Sequence, residues 1–532
     1  MVTTRTAEEP PETSAATSSP ANSTALRAGT IGVLGIIFFV LSMQAPMTGI
    51  VGASPLSVGL GNGPGAPGAY LVVGLVIILF AVGFVAMSRR ISANGGFYAY
   101  VSAALGRKMG GGAAWLAILT YASVQAGMYG LYGISFSALL AQIGLNLPWW
   151  LLVLLTMALV HLLGTRNIEL GSRFLAILVG FEMALLLAFG LKTLLSGGGP
   201  EGLAPAASFS PAAVTAGAPG VAIVFAIASM FGFESTAIYS GEAKDPKRTV
   251  ARATYLSVII IAVFFSFTTW MIVSFYGPTH VVDAAGAALQ SGDSGSFVFN
   301  AFVSSLGPWA AITAQILLLT SLLAGVIALH NSVNRYLHSL ALHRTLPIAV
   351  ARTNKHQAPA VAALASTTLS ILLVAPFVIL NLDPVLTLFS WFSGLSVASL
   401  LVLYVITSVS VVVYFRRNRS QAGIWQSLVA PVLATVLLLW LLYLVIDNFN
   451  QLIGGDLGTA AALLAFVPVC FILGTALEAY QARRSPRFTP ADSTTGTVRA
   501  VPPVDTGGSL AALPVATGEP SKGNQKCTLE AF

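Results

Sequence analysis

The sequence predicts an all-α integral membrane protein, and three observations lead to that fold class. The chain has 532 residues, of which 56% are apolar and 8% are charged, and its mean hydropathy is +0.82. Soluble domains carry about 25% charged residues because their surfaces face water, whereas helix walls that face lipid need no charge. Long apolar runs also recur along the whole chain. These features exclude a soluble enzyme.

Twelve apolar stretches lie between two polar tails, and most of them reach the ~20 residues that a helix needs to cross a bilayer. The fourth and sixth stretches are short or interrupted. We expect residues 1–25 and 485–532 to be disordered cytoplasmic tails, since they are rich in Ser, Thr and Pro, and we expect a transmembrane domain at 26–484. The predicted spans are 31–60, 68–87, 111–140, 149–163, 174–194, 221–239, 255–275, 309–329, 358–379, 385–415, 428–446 and 459–479.

The basic residues indicate the orientation of these spans. Most of the 26 Lys and Arg fall in loops on one side, whereas the other side has Lys192 and otherwise acidic residues such as Glu201 and Asp293. Cytoplasmic loops of membrane proteins are enriched in Lys and Arg, so we expect a multi-pass protein of the plasma (inner) membrane with both termini cytoplasmic. The same bias explains the formal net charge of +7 without a nucleic-acid partner.

Two of the predicted spans are interrupted at corresponding places. The first contains Pro46, Gly49 and Gly52, and the sixth contains Phe231-Gly-Phe-Glu. Lipid cannot hydrogen-bond an interrupted backbone, so such breaks persist only beside other helices or a polar cavity. A matched pair of breaks points to the binding site of an inverted-repeat transporter. The alternative is that Gly and Pro merely permit close packing of helices.

The spacing of the two breaks predicts an internal repeat. A unit of five spans that occurs twice in one chain must be inverted in its second copy. We expect the repeats at about 26–196 and 219–417, followed by two extra helices at about 425–482. Free amides in the first break suit a carboxylate, and free carbonyls in the second suit an ammonium group, so the predicted ligand is an amino acid.

Three motifs resemble those of the amino acid, polyamine and organocation (APC) superfamily, and in particular its bacterial-type amino acid permeases. They are Gly95-Gly-Phe-Tyr-Ala-Tyr-Val with Leu105-Gly, Phe231-Gly-Phe-Glu followed by Glu242-Ala-Lys-Asp-Pro-Lys-Arg-Thr-Val-Ala-Arg-Ala, and Gly61-Asn-Gly-Pro-Gly-Ala-Pro. The resemblance extends over about 26–417 and implies the leucine-transporter-type fold of five plus five inverted spans. One departure is Leu342-His-Arg-Thr before Leu346-Pro, where the family usually has Ala-Arg-Asp-Gly.

The resemblance also implies a substrate site between the two breaks. The carboxylate of the substrate would bind at Thr48, Gly49, Ile50, Val51 and Gly52. The amino group would bind the carbonyls near Ala228, Ser229 and Met230, and Phe231 would be an aromatic gate. In the third span Tyr121, Gln125 and Tyr129 share one helical face, where they line the same cavity or, alternatively, only pack between helices.

Glu182 and Glu234 are the two charged residues that lie well within predicted spans. A charge at the centre of an isolated helix costs about 2.5–3.5 kcal/mol, so each carboxyl group needs a partner or a function. The resemblance implies that Glu182 lies at the position where sodium-independent members of the family have a lysine, whose charge takes the place of sodium. We expect Glu182 to take up and release a proton. The alternative is a neutral packing residue.

Sodium is the competing coupling ion. Thr320 and Ser321 in the eighth span resemble the hydroxyl pair of the family's sodium sites, and together with Glu182 they offer the hard oxygen ligands of a possible sodium site. For Glu234 and Gly232 the resemblance implies a structural role, in which the carboxyl group bonds the backbone around the second break.

The sequence therefore predicts a secondary active permease for amino acids, with proton- or sodium-coupled uptake by alternating access. The alternatives are an uncoupled amino acid exchanger, a polyamine or amine transporter, and a transporter-like sensor or channel. The expected partners are a small amino acid and the lipid bilayer, and neither nucleic acid nor ATP, since no Gly-rich phosphate loop occurs. We expect no enzyme activity and no cofactor, because catalytic groups are not clustered at one depth.

Overall fold

The computed structural model describes residues 32–91, 96–166, 172–234, 236, 246–342, 345–354, 356, 358–418 and 422–484. The tails predicted at 1–25 and 485–532 lie outside the described residues. The same is true of Gly95 and of 242–245, which belong to two of the motifs.

The described part of the chain is helical, with turns between the helices and one isolated β-bridge between Gly199 and Gly202. The α-helices are α1 (Val33–Gln44), α2 (Ser54–Leu56), α3 (Ala66–Ser88), α4 (Gly96–Leu105), α5 (Arg107–Ala141), α6 (Trp149–Thr165), α7 (Ser172–Leu195), α8 (Pro205–Phe209), α9 (Pro211–Val214), α10 (Pro219–Ala228), α11 (Pro246–Tyr276), α12 (Val281–Gln290), α13 (Ser296–Leu306), α14 (Pro308–Leu342), α15 (Ala360–Ile379), α16 (Ser390–Arg417), α17 (Ala430–Asp447), α18 (Phe449–Leu452) and α19 (Leu457–Arg484). Short π-helical or 3-10 segments are Thr48–Gly52, Ser57–Asn62, Gly63–Gly65, Ile348–Ala351, Pro384–Phe389 and Trp425–Val429.

Nine helical segments among the described residues are long and apolar enough to cross a membrane. The predicted third, fourth and sixth spans are not among them. α6 has 17 residues and α10 has 10, while α5 is 35 residues long but carries several Gly and Tyr residues and Gln125. The all-α membrane fold is confirmed. The count of twelve spans and the inverted repeat remain predictions.

The bundle has apolar side chains on its surface and polar ones inside. Leu155, Phe181 and Leu372 are each more than half exposed, whereas Tyr129 and Tyr404 are fully buried. A protein that faces lipid needs no polar surface at membrane depth, and its polar side chains find their partners between helices. The distribution is that of a multi-pass membrane protein.

The two helices that lead into the breaks lie inside the bundle. α1 packs against α7, α11 and α14, and α10 packs against α3, α16 and α17. α5 contacts α6, α14, α16 and α19. This packing brings Glu182 of α7 and Ser321 of α14 to the first break.

One end of the last helix is held by a buried carboxylate. Glu478 of α19 is fully buried and accepts hydrogen bonds from Arg107 Nε and from the Thr345 hydroxyl, each at 2.9 Å. Arg107 Nη2 lies 2.7 Å from the same carboxylate. Glu478 therefore joins the start of α5 and the segment after α14 to α19. It lies at the end of the twelfth predicted span, which is why its burial was not expected from the sequence.

Candidate functional site

The first break lies between α1 and the π-helical turn Thr48–Gly52. α1 ends at Gln44, Ala45 is left-handed with φ 48°, and Pro46 follows. A proline has no N–H to donate, and its ring clashes with the carbonyl four residues earlier, so the α-helix cannot continue. A left-handed alanine costs roughly 1–2 kcal/mol, which the surrounding packing must offset. The five residues predicted to bind the carboxylate, Thr48, Gly49, Ile50, Val51 and Gly52, are all buried in this turn.

The carboxylate of Glu182 lies directly at this break. Its Oε2 accepts hydrogen bonds from the backbone amide of Met47 and from the hydroxyl of Ser321, both at 3.0 Å. Glu182 is 1% exposed and its neighbour Phe181 is 62% exposed. α7 therefore turns its carboxylate inwards and an apolar face outwards. The cluster connects α7, the break and α14.

Thr320 does not belong to this cluster. Its hydroxyl donates to the carbonyls of Ile316 and Leu317 on α14, at 3.1 and 3.0 Å. This back-bonding is a usual way for a helical threonine to satisfy its hydroxyl. Of the three predicted coupling residues, the structure brings Glu182 and Ser321 together and leaves Thr320 bonded within its own helix.

Two amides at the first break already have partners. The Met47 amide donates to Glu182, and the Gly49 amide donates to the Ala45 carbonyl at 3.1 Å. The sequence predicted a carboxylate site at Thr48–Gly52, which remains a prediction, and the Gly49 amide is engaged within the chain in this structure. Met47 was missed because its amide becomes available only through the turn that Pro46 imposes.

The second break follows α10, which ends at Ala228. Gly232 interrupts the helix with a φ of 100°, a conformation that strains any residue with a Cβ. The Phe231 amide donates to the Ala228 carbonyl at 3.4 Å, and Gln44 Nε2 donates to the Met230 carbonyl, also at 3.4 Å. Two of the three carbonyls predicted to face an ammonium group thus have partners within the chain.

Gln44 links the two breaks and was not predicted. Besides its bond to Met230, its Oε1 is buried without a hydrogen-bond partner among the described residues, and the same holds for the hydroxyl of Thr48. Buried polar atoms are usually hydrogen-bonded in folded proteins, so both oxygen atoms are available to a polar group that enters beside the breaks. A glutamine in an apolar run just before a proline is the signal that would have identified Gln44.

Glu234 bonds the backbone of the second break. Its Oε2 accepts hydrogen bonds from the Gly232 amide at 3.1 Å and from the Tyr404 hydroxyl of α16 at 3.2 Å. The Tyr121 hydroxyl of α5 also faces this carboxyl group. The carboxyl group of Glu234 thus bonds the backbone at Gly232, as the resemblance implied, and also bonds α16. Tyr404 could not be identified from the sequence, since it lies 170 residues away.

The predicted gate and the polar face of α5 meet inside the bundle. The rings of Phe231 and Tyr121 form an edge contact with centroids 5.3 Å apart. Gln125 Nε2 donates to the Tyr129 hydroxyl at 3.4 Å, and both residues are buried. The structure therefore places Tyr121 beside the second break, while the amide of Gln125 is engaged within α5.

Phe265 of α11 lies against the first break and was also missed. A Cβ atom built on Gly49 would lie 2.3 Å from Phe265 Cε1 and 3.0 Å from the hydroxyl of Ser229. Gly49 therefore lies in contact range of both Phe265 of α11 and Ser229 of the second break, and a Cβ there would require the ring of Phe265 to shift. The ring of Phe265 stacks on Tyr70 with centroids 5.6 Å apart. An aromatic pair between two apolar helices leaves no mark in the sequence.

The two broken segments face each other inside the all-helical bundle, and a buried carboxyl group lies beside each of them. The chain belongs to the amino acid permease family, whose model matches residues 35–489. That match includes both breaks and confirms the resemblance that the motifs indicated.

Three relatives show the range within this family. The branched-chain amino acid permease of Lactococcus lactis is 26% identical over 319 residues, which cover 56% of this chain and 65% of that protein, slightly under two thirds. The gamma-aminobutyric acid permease of Bacillus subtilis is 25% identical over 383 residues, 68% of this chain and 76% of that protein. The low-affinity putrescine importer of Escherichia coli is 25% identical over 248 residues, 46% of this chain and 53% of that protein.

Proposed function

We propose that this protein is a secondary active transporter that takes up an amino acid by alternating access at the two breaks. The observation that carries the proposal is the pair of buried, unpartnered oxygen atoms, Gln44 Oε1 and the Thr48 hydroxyl, beside the junction of the two broken segments. The relatives are permeases for branched-chain amino acids, gamma-aminobutyric acid and putrescine, all of which carry an amino group on a short chain.

In this proposal the substrate lies between the two breaks. Its carboxylate binds near the turn Thr48–Gly52, where the Thr48 hydroxyl donates to it. Its ammonium group donates to Gln44 Oε1 and to carbonyls near Ser229. The walls here include Phe265, which closes the space beside Gly49, and these walls suit an aliphatic side chain. Polyamines are the alternative substrate class, which the relationship to a putrescine importer supports.

Glu182 is the proposed coupling residue. As a carboxylate it accepts from Met47 and Ser321 and so holds the first break against α14. A proton from outside neutralises Glu182, which makes it a weaker acceptor and lets the inner half of the first broken segment part from α14. Release of the proton on the inner side restores both hydrogen bonds. One positive charge moving down 100 mV supplies about 2.3 kcal/mol, and a tenfold uphill gradient costs about 1.4 kcal/mol, so one proton suffices.

Sodium coupling is the second candidate, because Glu182 and Ser321 present oxygen atoms at one place. The hydroxyl of Thr320, which a sodium site of the expected kind also uses, bonds its own helix instead. Donation to a carbonyl leaves the lone pairs of the Thr320 oxygen free, so we base the choice of the proton on Glu182, a buried carboxyl group that can gain or lose one. An uncoupled exchanger would use the same substrate site without a titrating group.

The proposed location is the plasma membrane, with both termini cytoplasmic. This orientation rests on the distribution of Lys and Arg in the loops, which places the start of α14 and the end of α5 on the outer side.

The test is uptake by proteoliposomes that contain the purified protein. Labelled leucine, gamma-aminobutyrate and putrescine are offered under a proton gradient, a sodium gradient or neither. We expect accumulation of at least one amino acid with the proton gradient alone. If accumulation requires the sodium gradient, sodium is the coupling ion and not the proton. If uptake occurs only when the liposomes contain unlabelled substrate, the protein is an exchanger. Absence of flux for an extended panel of amino acids and amines would refute transport.

The position of the site is tested by Thr48→Val, which keeps the shape of the side chain and removes the hydroxyl. We expect about tenfold weaker substrate binding, the order of one hydrogen bond. The control is Thr156→Val, because the Thr156 hydroxyl is buried but donates to the Leu152 carbonyl of its own helix. Equal affinities of the two variants would place the substrate elsewhere.

A further inference from the structure

A cavity of about 240 Å³ opens beside the first break, at the end of the bundle predicted to face outwards. Its walls are the last turns of α5, the segment before α13, and α14 near its start, and Val51 of the broken segment forms part of its lining. Drug-sized ligands occupy pockets of roughly 300–1,000 Å³, so this volume suits a molecule of amino-acid size. The cavity therefore lies next to the proposed substrate site and on its outer side.

The lining of this outer cavity combines one acid with neutral polar and apolar groups. Asp293 is the ionisable residue among the described residues that line it. The neutral polar side chains are Ser135, Ser137, Gln142, Ser294 and Gln315, and the larger apolar ones are Val51, Leu131, Ile134, Phe299 and Leu318. Gln142 and Gln315 are hydrogen-bonded to each other at 2.8 Å and so connect α5 to α14 across the cavity. Acceptors and one negative charge beside an apolar wall match an amine on an aliphatic chain.

The charge of Asp293 is not cancelled by a neighbouring base. The described lining contains neither Lys nor Arg, and the carboxylate faces the backbone amides of Gly295 and Ser296 at the start of α13. The Asp293 side chain is exposed to the cavity, and partial desolvation by the surrounding residues raises its pKa above the ordinary value, against the opposing effect of these amides. Charge of one sign along a cleft raises the local concentration of an oppositely charged ligand.

We infer that the outer cavity is a recognition site for the ammonium group of the substrate, which binds there before it reaches the two breaks. Asp293 accepts from the ammonium group, and the hydroxyl and amide oxygens of the lining accept its remaining hydrogen atoms. The aliphatic part of the ligand packs against Phe299 and Leu318. This inference rests on the proposed function, because it gives the transporter an outer site for the same class of ligand.

The kinetic test compares Asp293→Asn with wild type and with Asp283→Asn in proteoliposomes. Asparagine can still cap the start of α13, so this change removes the charge and keeps the turn. At low ionic strength we expect the apparent KM of Asp293→Asn to rise about three- to tenfold for leucine and more for putrescine, which has two ammonium groups. The rise should shrink in 0.5 M salt, since screening weakens an accessible charge pair. Asp283 is exposed on α12 and does not line the cavity, so Asp283→Asn should match wild type.

Asp293→Glu restores the charge and should return the apparent KM to within about twofold of wild type. If Asp293→Asn and Asp283→Asn have the same KM as wild type at low salt, the outer site does not exist, while the transport function stands.

A second measurement is independent of transport. In a variant with Cys470→Ala and Cys527→Ala, Ser135→Cys places a thiol in the cavity wall, and a membrane-impermeant maleimide labels it. We expect leucine and putrescine to slow this labelling when Asp293 is unchanged, and not when Asp293→Asn is added. If the substrates slow labelling but no flux is measured, the outer site is supported and the proposed transport is refuted. If flux is measured but the substrates do not slow labelling, the outer site alone is refuted. If neither flux nor slower labelling is measured, the outer site and the proposed transport are both refuted.

Discussion

The backbone amide of Met47 and the carboxylate of Glu182 are joined by a hydrogen bond of 3.0 Å, although they lie 135 residues apart in the chain. Met47 is the second residue after the left-handed Ala45, so its amide is freed by the break itself. A buried carboxylate that would be costly on an isolated helix is thereby stabilised by the same break that interrupts α1. The break supplies a hydrogen-bond donor to the buried carboxylate of Glu182, and the carboxylate satisfies the Met47 amide.

Glu182→Gln should abolish accumulation driven by a gradient. The amide side chain has nearly the same shape but cannot take up a proton. One coupled charge at 100 mV can sustain about 50-fold accumulation in the wild type, and we expect a ratio near one in the variant, with exchange of internal for external substrate partly retained. The measurement is the steady-state ratio of labelled substrate in proteoliposomes. Glu201→Gln, which changes a carboxylate in an outer segment, is the matched control, and unchanged accumulation in Glu182→Gln would end the coupling proposal.

Gly49→Ala should weaken substrate binding at least tenfold, because its Cβ would lie 2.3 Å from Phe265 Cε1. Overpacking of this kind typically costs about 1–3 kcal/mol. Phe265→Leu removes the ring and should restore part of the affinity in the double variant, which a thermodynamic cycle measures. Additive effects of the two changes would mean that Phe265 is not what excludes a side chain at position 49.

Gly52→Leu should abolish substrate binding, since a Cβ there would lie 2.4 Å from Leu131 Cδ2.

Tyr404→Phe should lower the free energy of unfolding by about 1–3 kcal/mol, because Glu234 loses a buried hydrogen-bond donor. Thermal denaturation in detergent reports this change as a lower Tm. Tyr443→Phe is the control, since Tyr443 is 61% exposed on α17. Equal Tm values for the two variants would show that Glu234 does not depend on Tyr404.

Arg107→Ala should destabilise the protein more than Glu478→Gln does. Removal of Arg107 leaves the carboxylate of Glu478 buried with the Thr345 hydroxyl as its remaining described partner, whereas glutamine removes the buried charge itself. Arg107 is 51% exposed, so we expect a loss of about 1–2 kcal/mol, less than for a fully buried pair. In the double variant the loss should be smaller than the sum of the two. Arg416→Ala, at an exposed position of α16, is the control.

Asp456→Ala should destabilise α19 at neutral pH and cease to do so in acid. Asp456 accepts hydrogen bonds from the Gly458 and Thr459 amides at 3.1 and 2.9 Å and also from the Thr459 hydroxyl. These donors lower the pKa of Asp456 below the ordinary value of 3.8, so its stabilising contribution is complete above that value and is lost as the pH falls through the lowered pKa. The difference in Tm between wild type and variant should be constant from pH 7 to pH 5 and vanish at the most acid pH. A difference in Tm that persists at the most acid pH would show that Asp456 does not stabilise the start of α19 through its carboxylate.

The positions of the breaks and of the charges could be predicted because their causes are local. Pro46 removes a donor from the helix wherever the helix lies, and Glu182 inside an apolar run must be paired whatever its partner is. The pairing of Glu182 with Ser321 followed from family resemblance and agrees with the contact in the structure.

The remaining contacts depend on which helices pack together, and the sequence does not contain that information in readable form. Gln44 reaches Met230 across 186 residues, and Arg107 reaches Glu478 across 371. Phe265 and Tyr404 are aromatic residues in apolar helices that contain several others. Thr320 was assigned to the site by its resemblance to a family position, and the sequence could not show that its hydroxyl donates to carbonyls of its own helix.

The anchoring of α19 through Glu478 limits how far this permease can be shortened by engineering. Ten spans would suffice for two repeats of five, which invites a minimal version that stops after α16. Such a truncation would leave Arg107 and Thr345 without the buried carboxylate that joins the start of α5 to the segment after α14. α19 therefore acts as a brace between the start of α5 and the segment after α14 and is not a dispensable addition.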